Sequence, residues 1–327
     1  MKYHLSYLPM LNAATGVLGS CFSDRENIIV VDHLTVHLVD PNDWEIVFVL
    51  CAETTFKIRH ELDRIGNKLV LLHTSNEPGL EKYTKFFFPF WLFCVDEANR
   101  YTVKPKDIDK YPLYTYSALL GRAKDSRTVL LEELDKKNML DQGLISYHSG
   151  THYNAKLSRD PTHYFSNIWE WESTEIKNIF QTDINYIVNL DSTTRTVDGH
   201  FLSCLLPWKV YYSSCVSIVA ETDHDGTHTF ISEKTWKPIL AGHPFIMYAT
   251  ADHTNFLESL GFEMYFKTYG DPAHVASLVA DVADTIKNGN TEPFKDWEKI
   301  CRHNTDAANP ALWKTKLHRW LQENFVS

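Results

Sequence analysis

Residues 215–245 read CVSIVAETDHDGTHTFISEKTWKPILAGHPF, and the order of textures in this stretch decides the fold. A β-branched apolar run gives way to a polar loop, and Ser232 then opens a segment of helical composition. Gly242 stops that segment, and a second apolar run resumes at residues 244–248. Strand, loop, N-capped helix, glycine stop and strand describe a βαβ unit. Such a unit makes its two strands parallel and sets a helix N-terminus at the carboxyl edge of a sheet. One irregularity stands inside the helix: Pro238 deletes a backbone hydrogen bond and is expected to bend the axis.

Working outward, short apolar runs alternate with polar or helical stretches along the whole chain, which predicts an α/β protein. In the first half the expected strands are 27–32, 34–39, 45–51, 68–73 and 90–95, with a helix over 54–65. These strands lie close together, which leaves room for antiparallel pairing in part of the sheet. Residues 101–112, YTVKPKDIDKYP, are charged and broken twice by proline, so they read as a linker between domains 1–112 and 113–327. The second half predicts strands at 113–120, 144–148, 184–189 and 215–221, and a helix over 126–139 capped by Ser126. Further helices are expected near 253–260 and over 274–287, 293–303 and 310–324, the last packing back on the first domain.

Composition narrows the function classes. With 44% hydrophobic and 23% charged residues, the chain has the balance of a folded globular protein. A net charge of −10 opposes a primary nucleic-acid binder, whose affinity rests on Lys and Arg at phosphates. The six cysteines are scattered, with no CxxC pair, so neither a zinc spacing nor a disulfide framework is visible. No stretch reaches the roughly 18 apolar residues of a membrane span. The expectation is a soluble, cytoplasmic protein of a bacterial or virus-infected cell, with no membrane partner.

The chemistry concentrates at Ser232, Glu233 and Lys234. A capped helix start leaves N–H groups and a partial positive charge facing outward, which suits phosphate, and Lys234 adds a full charge. Glu233 supplies a carboxylate able to accept two hydroxyl hydrogen bonds, as from a ribose. A nucleoside-diphosphate sugar has these needs. An ordinary amphipathic helix with a solvated Glu–Lys pair has the same spacing.

The run Phe230, Ser232, Glu233, Lys234 and Trp236, followed by Leu240, Ala241, Gly242, Pro244 and Phe245, resembles the donor-binding motif of α1,3-fucosyltransferases and related GT-B enzymes. The resemblance implies two Rossmann-like domains facing a cleft. It implies that Glu233 holds the donor ribose and Lys234 the diphosphate, while Glu221 occupies the place of a further acid of the family pattern. Pro238 departs from the family, which has a helix former there, so guanine and fucose are not carried over. Residues 116–148, YSALLGRAKDSRTVLLEELDKKNMLDQGLISYH, resemble phage glycosyltransferase-like proteins. There Gly121 precedes Arg122, Lys124 and Arg127 in a basic turn at a strand's carboxyl end. Arg122 and Arg127 are expected on the diphosphate, because guanidinium forks match phosphate oxygens.

An acceptor hydroxyl needs a base, and the strand ends of the first half offer Asp32, Glu53, His73 and Glu77. Glu77, in LLHTSNEP, is preferred because acids in such loops face the cleft of related enzymes. The segment Asp223–His228, DHDGTH, admits a divalent-ion reading, since Asp-x-Asp chelates metal in GT-A enzymes. Against it, the segment is also ordinary turn chemistry. The helix at Ser232 already supplies positive charge, so no obligatory metal cofactor is expected.

The sequence thus predicts a glycosyltransferase whose co-substrate is a nucleoside-diphosphate sugar. A saccharide acceptor is favoured over a hydroxymethylated base of phage DNA. The alternative is a non-catalytic module of the same fold that binds a nucleotide sugar or a glycan.

Overall fold

The computed structural model describes residues 1–6, 11–99, 114–122, 124–148, 164–165, 196–197, 200–201, 204–221, 228–268, 270–290 and 292–326. For 121–122, 146–148, 164–165, 196–197, 200–201 and 209 the description covers the backbone alone. The chain divides into two compact units. Unit 1 is Met1–Asp96, Thr227–Ile231 and Ala308–Ser327; unit 2 is Glu97–Gly226 and Ser232–Ala307.

Unit 1 runs β1 (Lys2–His4), α1 (Asn12–Phe22), β2 (Ile28–Asp32), β3 (Ile46–Cys51), α2 (Arg59–Ile65), β4 (Leu69–His73), β5 (Ser75–Asn76) and β6 (Thr84–Phe87), with α3 (Phe90–Ala98) at its edge. Its sheet has the order β1-β2-β3-β4-β6. Every pair in that sheet is parallel, which corrects the expectation of mixed pairing. The reason is visible in IIVVD, IVFVLC and LVLLH. These strands are apolar at nearly every position because both of their faces are covered, which is the pattern of a parallel sheet. Ile29, Val31, Val47, Val49, Leu69 and Leu71 pack with Leu62 and Ile65 of α2. Side chains alternate along a strand, so Phe48 points the other way and meets Phe22 of α1 at 5.5 Å between ring centroids.

Two expected strands take other forms. Residues 34–39 contain a turn and a short 3-10 helix, Val36–Leu38. The buried Asp32 carboxylate accepts from Leu34 N and Thr35 N, both at 2.9 Å, and these bonds draw the backbone out of β2 into a turn. Residues 90–95 belong to helix α3, whose apolar run is buried nearly all round and so lacks the polar face that betrays a helix. The expected helix over 54–65 is a 3-10 turn, Phe56–Ile58, followed by α2. Neither β1 nor α1 was anticipated: β1 has three exposed residues, and α1 carries two glycines.

Unit 2 runs β7 (Tyr114–Arg122), α4 (Asp125–Lys136), β8 (Gly143–His148), β9 (Tyr164–Phe165), β10 (Thr196–Val197), β11 (His200–Phe201), α5 (Trp208–Ser213) and β12 (Ser214–Ala220). The chain then visits unit 1 as β13 (Thr229–Phe230), which pairs antiparallel with β5. It returns as α6 (Glu233–Ala241), β14 (Phe245–Tyr248), α7 (Ala251–Ser259), α8 (Pro272–Lys287) and α9 (Glu292–Ala307). The parallel sheet has the order β14-β12-β7-β8-β9. This is doubly wound topology: the order reverses between β7 and β12. Leu130 and Leu134 of α4 and Val275 and Val279 of α8 pack on one face, against Tyr116, Ile218 and Ile246. Gly143 is obligatory at the start of β8, because a Cβ there would lie 2.2 Å from Tyr116 Cζ. Helix α4 starts at Asp125 after Lys124, so Ser126 sits in the first turn and is not its cap. Residues 101–112 and 184–189 lie outside the described residues.

The last helix, α10 (Pro310–Phe325), belongs to unit 1 and packs against α1. Phe325 reaches Phe48 at 6.1 Å, Trp320 reaches Phe86 at 5.2 Å and Trp313 reaches Phe87 at 5.7 Å. The protein is therefore α/β, with two Rossmann-like parallel sheets layered by helices and a C-terminal helix that closes the first.

Phe48→Ala is expected to lower the unfolding free energy by about 3–5 kcal/mol in urea, since it removes a buried ring from between α1 and α10. Leu34→Ser, at a turn residue 52% exposed, should stay within about 0.5 kcal/mol of the unaltered protein. A large loss at Leu34 would contradict the turn assignment.

Candidate functional site

In a doubly wound sheet, ligands bind outside the carboxyl ends of the strands where the order reverses. Here those ends belong to β7 and β12. Glu221 follows β12 directly; Arg127 lies in the first turn of the helix that follows β7; Ser232, Glu233 and Lys234 open α6. The described structure therefore brings together Arg127, Glu221, Ser232, Glu233 and Lys234. The Arg122 side chain lies outside the described residues, although its backbone ends β7.

Helix α6 begins as expected. Ser232 is extended, and its hydroxyl accepts from Lys234 N at 3.3 Å. It ends as expected too, on Gly242 in the left-handed region, with His243 N donating to Pro238 O at 2.9 Å. The helix runs unbroken through Pro238. Burial of Trp236, packed on Phe262 at 5.5 Å, holds the helix on its unit across the missing bond.

Charge is dense at this end. Lys234 Nζ lies 3.0 Å from Glu233 Oε1 and 3.3 Å from Ser232 Oγ. Burial works to raise the Glu233 pKa, but the charge and hydrogen bond of Lys234 and the charge of Lys237 hold it below the ordinary value. Burial alone would lower Lys234; Glu233 and Glu221 raise it instead. Arg127 is 4% exposed and donates from Nη2 to Ala220 O at 3.5 Å. Burial depresses its pKa against the opposing charges of Glu221 and Glu233. Side-chain exposure of 13% for Glu233 and 25% for Lys234 leaves both within reach of a ligand.

Two members of this cluster were not singled out from sequence. Thr235 donates to Glu221 Oε1 at 2.6 Å. Lys237, one turn after Glu233, is buried, which pushes its pKa down to about 8 despite the charge of Glu233. Its signal was the Glu–Lys spacing of four, which places both side chains on one helix face.

In unit 1 the four candidates for a base stand at or just beyond the carboxyl ends of β2, β3 and β4. Asp32 is taken up by Ser6 N at 2.6 Å and by the turn described above. Glu53 is exposed beyond β3. Glu77 is 3% exposed and accepts from Thr55 N at 2.7 Å, Thr55 Oγ1 at 2.6 Å, Arg59 Nη2 at 3.2 Å and Ser75 Oγ. Burial tends to raise its pKa, yet these hydrogen bonds keep it below the usual carboxylate value. Glu77 is thus a fully engaged carboxylate that fixes the loop after β3. His73 Nδ1 lies 2.5 Å from Ser75 O, so Nδ1 carries the proton and Nε2 keeps a lone pair. Burial pushes its pKa down to about 4. Of the DHDGTH segment, residues 223–227 lie outside the described residues. Among the described residues no group of three or more His, Cys, Asp or Glu side chains is placed to hold a metal, and no helix is long and apolar enough to cross a membrane.

These shifts set an acid-stability profile. The folded His73 pKa, about 4, lies below the ordinary 6.5, so the unfolded chain takes up its proton first as pH falls. Its contribution is lost between pH 6.5 and about 4. That of Glu77 is lost only below 4.5, as pH falls through its lowered pKa. His73→Gln should therefore flatten the urea-unfolding profile between pH 6.5 and 4 by about 3 kcal/mol, whereas Glu77→Gln should flatten it only in stronger acid. Equal slopes in all three proteins would contradict these assignments.

No protein-family model matches the sequence, and no curated protein sequence matches it. Among solved structures the chain is similar to the spinosyn rhamnosyltransferase SpnG, at 11% identity over 95% of this chain and 79% of that one, with a TM-score of 0.38. It is similar to the glycosyltransferase of kitacinnamycin, at 11% identity over 97% and 85%, with a TM-score of 0.41. It is also similar to the glycosyltransferase SnogD from Streptomyces nogalater, at 13% identity over 95% and 76%, with a TM-score of 0.39. Likeness at this level concerns the general layout of the fold and gives no residue of this chain a role.

Proposed function

We propose that the protein is a glycosyltransferase that moves a sugar from a nucleoside-diphosphate sugar to an acceptor hydroxyl. One observation carries the reading: Arg127, Lys234 and the capped N-terminus of α6 converge with Glu233 at the switch point of a doubly wound sheet. In this reading Glu233 holds the ribose diol, and Lys234, Arg127 and Arg122 meet the diphosphate. As the glycosidic bond breaks, charge develops on that diphosphate, and fixed positive groups lower the barrier by stabilising it. Lys234, Arg127, Arg122 and the helix end supply this charge, so no divalent metal is assigned a part.

The base is assigned to the carboxyl edge of the unit 1 sheet. Glu77 is the first candidate, and accepting a proton there requires Ser75 or Arg59 to yield its hydrogen bond. His73, neutral and with a fixed tautomer, is the second. A saccharide hydroxyl is favoured over a hydroxymethylated base in DNA, because a net charge of −10 repels a phosphate backbone. The GT-B resemblance to α1,3-fucosyltransferases and phage glycosyltransferase-like proteins supports the reaction class and leaves base and sugar open.

The test is release of nucleoside diphosphate from a panel of nucleotide sugars, with mono- and disaccharide acceptors. Glu233→Ala and Lys234→Ala should each lower turnover about 100-fold or more, and EDTA should change it by less than about twofold. Binding of a donor without turnover on any acceptor would replace the transferase by a non-catalytic binding module. Absence of both binding and turnover would overturn the donor-site reading.

A further inference from the structure

Glu221 differs from its neighbours at the site in being closed to solvent. It is 0% exposed, whereas the Glu233 and Lys234 side chains keep 13% and 25% of theirs. Both of its oxygens are engaged from the start of α6. Oε1 accepts from Ser232 N at 3.1 Å and from Thr235 Oγ1 at 2.6 Å, and Oε2 accepts from Ser232 Oγ at 2.6 Å. Its own N–H is fixed to Tyr248 O at 3.2 Å, which ties it to the neighbouring strand. A buried acid with three donors on it has little left to offer a ribose or a phosphate.

We propose that Glu221 is a positioning residue that acts through Ser232 to hold Lys234 and the first turn of α6 in place for a diphosphate. This rests on the reading of the site as one for a nucleoside-diphosphate sugar. A serine hydroxyl has one proton. Ser232 gives it to Glu221, so the lone pairs of Oγ are turned toward Lys234 N and Lys234 Nζ, each at 3.3 Å. Exchanging the carboxylate for an amide keeps the shape and reverses this polarity. The amide NH₂ facing Oγ is a donor, and the serine proton must then turn toward the donors of Lys234. The lysine loses one of its acceptors, and its ammonium is then oriented by Glu233 without Ser232. The Glu221 charge also works to raise the pKa of both Arg127 and Lys234 against burial, so the two cations feel the same acid.

The experiment measures dissociation constants of UDP, GDP, ADP, CDP and dTDP by calorimetry for the unaltered protein, Glu221→Gln, Ser232→Ala, Ser232→Thr and the Glu221→Gln/Ser232→Ala pair. For the diphosphate bound best, each of the first two changes should weaken binding about tenfold. The pair should be no weaker than the worse single change by more than about twofold, because both break one chain of contacts. Ser232→Thr keeps the hydroxyl and should bind within about threefold of the unaltered protein. Ile218→Val, a buried change on β12 with no part in this chain, controls for loss of stability alone. Multiplying losses in the pair, unaltered binding by Glu221→Gln or Ser232→Ala, or an equal loss in Ile218→Val would overturn the proposal. Should Glu221→Gln fail to fold, Ser232→Ala against Ser232→Thr decides alone: equal affinities of those two overturn it. An unaltered protein that binds none of the five overturns the underlying donor-site reading, and this proposal with it.

Discussion

One buried carboxylate, Glu221, holds the end of a central strand to the start of a helix, and the arrangement of the candidate site depends on that junction. A βαβ unit is rigid at its core but its connecting loops are not, and a helix start leaves N–H groups without partners. Three hydrogen bonds from Ser232 and Thr235 to one acid remove that slack. Lys234, Glu233 and Arg127 then take up positions around the junction, two of opposite charge in contact and the third reaching the carbonyl of Ala220. Charges packed this closely must compensate one another. That need keeps Glu233 ionised and Lys234 protonated despite burial.

Unit 1 follows a different economy. Its sheet is sequential in order and covered by helices on both faces, and the last sixteen-residue helix of the chain supplies part of its core through Phe325, Trp320 and Trp313. The chain also lends it Thr229 and Phe230, which pair with Asn76 and Ser75 just before Ser232. Ser75 is a hub in its own right. Its carbonyl takes His73 Nδ1, its hydroxyl donates to Glu77 and its backbone pairs with Phe230. A change at Ser75 would therefore touch a histidine, a carboxylate and the strand that leads to α6.

Much of this was legible in the sequence where local chemistry and fold agree. The serine cap, the glycine stop and the flanking apolar runs of 215–245 were enough to place α6 between two parallel strands. The misreadings have physical causes. Residues 90–95 are apolar on every side, and periodicity cannot separate a buried strand from a buried helix. Residues 34–39 look like a strand until the Asp32 side chain captures two backbone amides. The inward role of Glu221 was out of reach, because only tertiary structure shows that its carboxylate meets Ser232 and Thr235. Glu77 reads as a cleft-facing acid in sequence, but its loop closes Thr55, Ser75 and Arg59 around it.

The start of α6 and the first turn of α4 together form the proposed diphosphate site. It is tested most directly by the melting temperature of the unaltered protein as UDP, GDP, ADP, CDP or dTDP is added, since a ligand that binds only the folded state must stabilise it. At least one of these should raise the transition progressively with concentration, and Lys234→Ala should remove the rise. A transition that none of the five moves at millimolar concentration would contradict it.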